Sequence, residues 1–120
     1  MSPGEEALQV RAAKNQSFFR EVNERVEAVI AGATVVAPIE YRVCECAKLS
    51  CNERLAMTVA EYEAVREHPS RFAVLEGHVV PLAERVVGGA PDRFVVVEKF
   101  GAGATYAAKH DPRSGSHVSH

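Results

Sequence analysis

The chain lacks what several functional classes require. No apolar run approaches the about 20 residues that a bilayer span needs. Basic charge is not in excess: 14 Lys and Arg stand against 16 Asp and Glu, a formal net charge of -2. No basic stripe with interleaved aromatics is present either, so nucleic-acid binding is not expected. The opening Met1-Ser2-Pro3-Gly4-Glu5-Glu6 is acidic and polar, where a secretory signal has a positive start and an apolar stretch. A cytoplasmic protein away from the membrane is expected. Gly101-Ala102-Gly103-Ala104 lacks the lysine of a phosphate loop and reads as a flexible turn. No Gly-x-Ser-x-Gly elbow and no zinc-deaminase pattern occur. Cysteine is scarce and odd in number. Three residues leave one over in any disulfide scheme, and cytosolic thiols stay reduced.

What is present describes an ordinary globular domain. The 120 residues are 47% hydrophobic and 25% charged, which suits one core and excludes wholesale disorder. A single domain is expected over residues 1–109. The Ser, Gly and His-rich residues 110–120 read as a flexible tail.

The first third reads as a long helix. Phe18, Val22, Val26 and Val29 recur at spacings of four, four and three, with Phe19 and Ile30 widening the stripe. Leu8 and Ala12 extend it upstream, and Asn15 or Ser17 could cap a shorter form. Arg20, Glu21, Glu24, Arg25 and Glu27 form the expected wet side, and Gly32 is the expected stop. Ile39 to Cys46 alternates as a strand, and Glu53 to Thr58 reads as a second. Thr58-Val59-Ala60-Glu61 is a capping box, in which Thr and Glu satisfy each other's free backbone donors. It starts a helix that runs to Glu67 with Tyr62, Val65 and Arg66 inward, ended by His68-Pro69. Phe72 to Leu75 is a short strand. Gly88 to Asp92 reads as a turn, and Phe94 to Lys99 is a strand apolar enough for burial on both faces. The expected fold class is α+β. It has a long N-terminal helix, a small mainly antiparallel sheet of three to five strands and one short helix.

The chemistry is concentrated in Cys44-Glu45-Cys46-Ala47-Lys48-Leu49-Ser50-Cys51. Cysteines two apart on a strand face one point, and a turn over residues 47–50 would fold Cys51 back to them. Thiolates and imidazole are zinc ligands in tetrahedral sites. Three thiolates leave one vertex, and five histidines could fill it. His110, His117 and His120 sit in or near the tail, and His68 sits at a helix end. His78 follows Gly77 at the close of a strand, where glycine permits an unusual backbone. The expected site is Cys44, Cys46, Cys51 and His78 around zinc. If His78 is not a ligand, water completes the shell and the site could be catalytic. Three other readings stand beside zinc: thiols packed as apolar core residues, an iron–sulfur cluster that would normally want a fourth cysteine, and a disulfide redox switch. Glu45 and Asn52 could support the site from outside, and Glu45 as a general base is disfavoured because it alternates away from the sulfurs. Arg66, His68 and Arg71 form a small basic cluster, read as a solvated face.

These strings together resemble a family of small, uncharacterised actinobacterial proteins. The resemblance rests on Phe19-Arg20-Glu21-Val22-Asn23-Glu24-Arg25-Val26, Val43-Cys44-Glu45-Cys46 with Cys51, Leu55-x-x-Thr58-x-x-Glu61-Tyr62-Glu63-x-Val65-Arg66, Pro69-x-Arg71-Phe72 and Gly77-His78. It covers Asn15 to Lys99 and implies that Cys44, Cys46, Cys51 and His78 form one set. It brings no activity with it. The knuckle Ala47-Lys48-Leu49-Ser50 is less polar than the resemblance leads one to expect. Four protein ligands leave no exchangeable position, so the expectation is a structural zinc in an interaction or regulatory module, not an enzyme. A redox or metal sensor and a small zinc enzyme are the alternatives. The expected partner is another protein, or a second copy, meeting the N-terminal helix.

Overall fold

A computed structural model describes residues 2–35 and 37–113. Helix α1 spans Pro3–Ala31. It starts earlier than the asparagine and serine candidates suggest, because Ser2 and Glu5 close a capping box around Pro3: Glu5 N donates to Ser2 Oγ at 3.1 Å and Ser2 N to Glu5 Oε1 at 3.1 Å. Gly32 caps its end.

The buried face of α1 is not the expected apolar stripe. Phe18 is 57% and Val29 74% exposed, while Gln9, Ala12, Ala13, Gln16, Phe19, Arg20, Asn23 and Glu27 are buried. These recur at three and four, so the period is right and the phase is rotated. The rotation has a physical cause: the inward polar side chains bond carbonyls and charged groups of the strands, of the loops beside them and of the C-terminal helix. Arg20, expected on the wet side, donates to Pro69 O at 2.7 Å and Ala107 O at 2.9 Å.

Five strands form two antiparallel sheets rather than one. β1 (Glu40–Val43) pairs with β2 (Arg54–Met57), Glu40 opposite Met57. After helix α2 (Val59–Arg66), β3 (Arg71–Val74), β4 (Glu84–Ala90) and β5 (Phe94–Lys99) form a second sheet in the order β3-β5-β4. The capping box of α2 is present, with Glu61 N donating to Thr58 Oγ1 at 3.0 Å. β5 is central, as its apolar run requires. Gly88 and Gly89 lie inside β4, not in a turn, at a bulge between Val86 and Gly88. A Cβ on Gly89, at φ +143, would come within 2.5 Å of Phe94 O, so glycine is required there.

The stretch expected as a flexible turn is a second short helix, α3 (Gly101–Lys109). It packs on α1 so closely that a Cβ on Gly103 would lie 2.8 Å from Gln9 O. The core between the elements holds Leu55, Met57, Tyr62, Phe72, Val74 and Val97, with Cys44 and Cys46 at its edge. Of residues 110–120, positions 110–113 are described: Asp111 is buried against Arg66, and Arg113 bonds Glu24 at 2.8 Å and Glu63 at 2.7 Å. Among the described residues no helix is long and apolar enough to cross a membrane.

Candidate metal centre

The two sheets meet at the cysteines. Strand β1 ends at Val43, but its ladder continues one step as Cys44 N donates to Glu53 O at 3.0 Å. The chain then leaves the first sheet for the edge of the second, where Glu45 N donates to Ala73 O at 2.8 Å. Cys44 and Cys46 therefore follow the strand rather than lie on it. A tight turn, Cys51 N to Lys48 O at 2.9 Å, brings Cys51 back beside them. From the other sheet, β3 gives way to a turn closed by His78 N to Leu75 O at 3.0 Å. Gly77 takes φ +89 in it, a backbone that favours glycine, and the imidazole swings toward the sulfurs.

The four expected side chains come together. Their ligand atoms all lie within 4.8 Å of one another. His78 Nδ1 is 3.5 Å from Cys44 Sγ and 3.8 Å from Cys51 Sγ. Tetrahedral bonds of about 2.3 Å to sulfur and 2.0–2.1 Å to nitrogen put neighbouring S and N about 3.6 Å apart, so the donor set fits a small tetrahedral cation. All three cysteines are free thiols. Cys44 and Cys46 are buried, while Cys51 and His78 are half-buried. Leu75 N donates to Cys44 Sγ at 3.2 Å, and the Cys46 thiol faces Lys48 O at 3.9 Å.

Burial pushes the Cys44 and Cys46 thiols up, and the neighbouring sulfurs push Cys44 the same way. The neutral thiol is thus the form that Cys44 and Cys46 favour by themselves. A bound cation inverts that preference, because it stabilises thiolate directly.

The remaining histidines stay away. His68 is exposed and His110 stacks on Tyr106 with ring centroids 4.0 Å apart. His117 and His120 lie outside the described residues. Glu45 turns away from the sulfurs, as its alternation implies. Tyr62 OH and Asn23 Nδ2 donate to its Oε2 at 2.6 and 2.8 Å, and Ala73 N to its Oε1 at 3.0 Å. Burial raises its pKa while these three bonds lower it. Glu45 is a buried clamp between α1, α2 and β3, and not part of the cysteine and histidine cluster. Asn52 is exposed.

Two residues that support the knuckle were not visible in the sequence. Asn15 Nδ2 donates to Ala47 O at 2.8 Å. Asn23 takes both polar groups of Val43, donating to its O and accepting from its N at 2.9 Å each. The available signal is two asparagines eight apart, both pointing inward from a helix that asparagine does not favour. The basic cluster is corrected: Arg66 is buried between Glu24, at 2.6 Å, and Asp111, and Arg71 pairs with Glu98 at 2.9 Å.

A cleft of about 410 Å³ lined by Cys46, Lys48, Gly77, His78 and Val80 opens beside the cluster. Comparison with protein-family models, curated proteins and solved structures finds no match. The site therefore stands on its geometry, and the resemblance to the actinobacterial proteins gains no support from these comparisons.

Proposed function

We propose that Cys44, Cys46, Cys51 and His78 bind one zinc ion, and that the ion staples a small interaction or regulatory module. The observation that carries this is the convergence of three sulfurs and one imidazole nitrogen within 4.8 Å. Soft sulfur donors disfavour magnesium and calcium, and three thiolates with one imidazole suit zinc. Four protein donors close the shell, which is the arrangement of a structural site rather than a catalytic one. Zinc would join the β1–β2 pair to the turn after β3, fixing one sheet against the other. Free thiols in close array fit a reducing cytoplasm.

The test is elemental analysis of protein purified without added metal. One equivalent of zinc per chain is expected, with loss or strong weakening in His78→Ala. Cobalt should give the absorption of a tetrahedral thiolate site. A folded parent that holds neither zinc nor cobalt overturns the reading.

The cleft beside Cys46 and the half-buried Cys51 favour a second reading, a peroxide-responsive site. Two thiolates would lose two electrons to form one S–S bond. Peroxide would take those electrons and two protons and leave as two waters, releasing the zinc. Unchanged zinc content after stoichiometric peroxide removes this second reading and leaves the first intact.

A further inference from the structure

The outward face of α1 carries a pattern that its own fold does not use. Ala7, Lys14, Glu21 and Ala28 are all exposed and follow one another at steps of seven, so they form one stripe along two-turn intervals. Read from either end, the stripe is small, charged, oppositely charged, small. Phe18 stands at its centre, 57% exposed. Among the described residues neither Lys14 nor Glu21 has an ion-pair partner. The middle of the stripe, Lys14 and Glu21, lines a groove of about 560 Å³ together with Phe18, Leu49 from the cysteine knuckle and Tyr106 from α3.

We propose that this groove is the interface of a homodimer, in which α1 packs antiparallel on α1 of a second copy. The proposal rests on the interaction-module reading and names the partner. Antiparallel packing about a two-fold axis beside Phe18 sets Lys14 against the partner's Glu21, and the reverse, so one arrangement makes both pairs. Parallel packing would set each charge against its own kind. Ala7 and Ala28 then face each other at the two ends, where small side chains allow close approach. Phe18 of each copy enters the groove of the other against Leu49 and Tyr106, a central aromatic anchor with a polar and charged rim. Leu49 ties the surface to the metal centre, because it sits in the turn that Cys46 and Cys51 bracket.

The stripe makes a test available that a general sticky surface does not pass. The metal-loaded chain is examined by sedimentation over 1–200 µM, with those limits chosen to bracket about micromolar affinity. The expected result is twice the chain mass at the upper end. Phe18→Asp should weaken the dimer at least about tenfold by removing the anchor. Lys14→Glu alone should weaken it and Glu21→Lys alone should too, each setting like charges together. The double variant Lys14→Glu, Glu21→Lys should restore the parent's affinity, because the swapped stripe is again self-complementary. All three substituted residues are exposed, and circular dichroism and metal content check that each variant folds. A parent that is monomeric at every concentration overturns the proposal, whatever its metal content. So does a dimer indifferent to Phe18→Asp, or a double variant that stays as weak as the singles. Metal content, read on the same samples, reports on the zinc site separately.

Discussion

Two polar regions are buried in this small domain, and they are completed in opposite ways. Beneath α1, Lys99 Nζ donates to Glu84 Oε1 at 2.9 Å and to Gln16 Oε1 at 2.5 Å, while Gln16 Nε2 donates to the same Glu84 oxygen at 3.0 Å and Val80 N to its Oε2 at 2.9 Å. Arg20 lies over the Phe72 ring at 4.7 Å with two carbonyl partners. Burial pulls Lys99 down, and Glu84 opposes that. Each donor of the Lys99, Gln16 and Glu84 network faces a carboxylate or a carbonyl, so that network needs nothing from outside, although Arg20 Nε beside it is buried without a partner. The cysteine cluster gathers three thiols and one imidazole. Its thiols share a long contact to a carbonyl, one amide and the His78 ring nitrogen, and their ionised forms would repel. The first region is a closed network and the second a receptor. Close packing of polar groups therefore points to a ligand only when their charges or donor types fail to balance.

The comparison breaks most visibly if the metal is removed. With zinc bound as proposed, stripping it with a chelator should cost several kcal/mol, since metal-binding free energy is folding free energy in a small stapled domain. For a chain of this length that is on the order of a 10 °C fall in the unfolding midpoint. Cys46→Ser should fall as far and should no longer respond to added zinc. Thermal unfolding followed by circular dichroism, with and without chelator, measures both. A metal-loaded parent whose midpoint ignores the chelator would show the cluster to be as self-sufficient as the seam.

The seam answers to a different perturbation. Lys99→Met leaves Glu84 buried and charged without its cation, a change that costs about 3–5 kcal/mol. Lys99→Met with Glu84→Gln removes both charges, and the double loss should be well below the sum of the single losses. Urea unfolding of the three variants measures the coupling. Chelator should lower all of them by the same amount, because the two regions share no side chain. A coupling near zero would mean that the pair is not worth its burial.

The cluster was legible in the sequence and the seam was not, for a reason rooted in distance along the chain. Three cysteines within eight residues converge through one turn, and Gly77 marks the place where His78 can reach them. Capping chemistry is equally local, so α2 was readable from Thr58 and Glu61. The seam joins Gln16 to Glu84 and Lys99, partners 68 and 83 residues apart, and no local signal says that a helix will bury glutamine and arginine in place of valine. The phase of α1 was lost for that reason, although its existence was plain. Helix α3 was missed because its small residues give no apolar stripe. Their use is to let it approach α1, which the sequence of one helix does not reveal.

The smallest effect tests whether the buried charges beneath α1 are all ion pairs. Glu27 is buried against Arg42, and burial pushes its carboxyl up to about 7, with the hydrogen bond to Glu63 acting in the same direction and Arg42 against it. An unfolded glutamate titrates near about 4.3. Below that pH both states hold the proton and the contribution to stability is whole. As pH rises from there through about 7, the unfolded chain sheds its proton first, so stability falls across the window. Glu61 and Glu63 are held down to about 2, chiefly by Arg93 and Arg113. Their contributions have the opposite sign and are lost only at lower pH, outside this window. Glu27→Gln removes the titration, so moving from pH 5 to pH 8 should favour the variant over the parent by about 1–3 kcal/mol. Urea unfolding of both proteins at the two pH values gives the difference, to which groups that do not touch Glu27 contribute alike. A difference that stays flat would mean that Glu27 is ionised beside Arg42 throughout. The region under α1 would then consist of ion pairs alone, with no proton shared between Glu27 and Glu63.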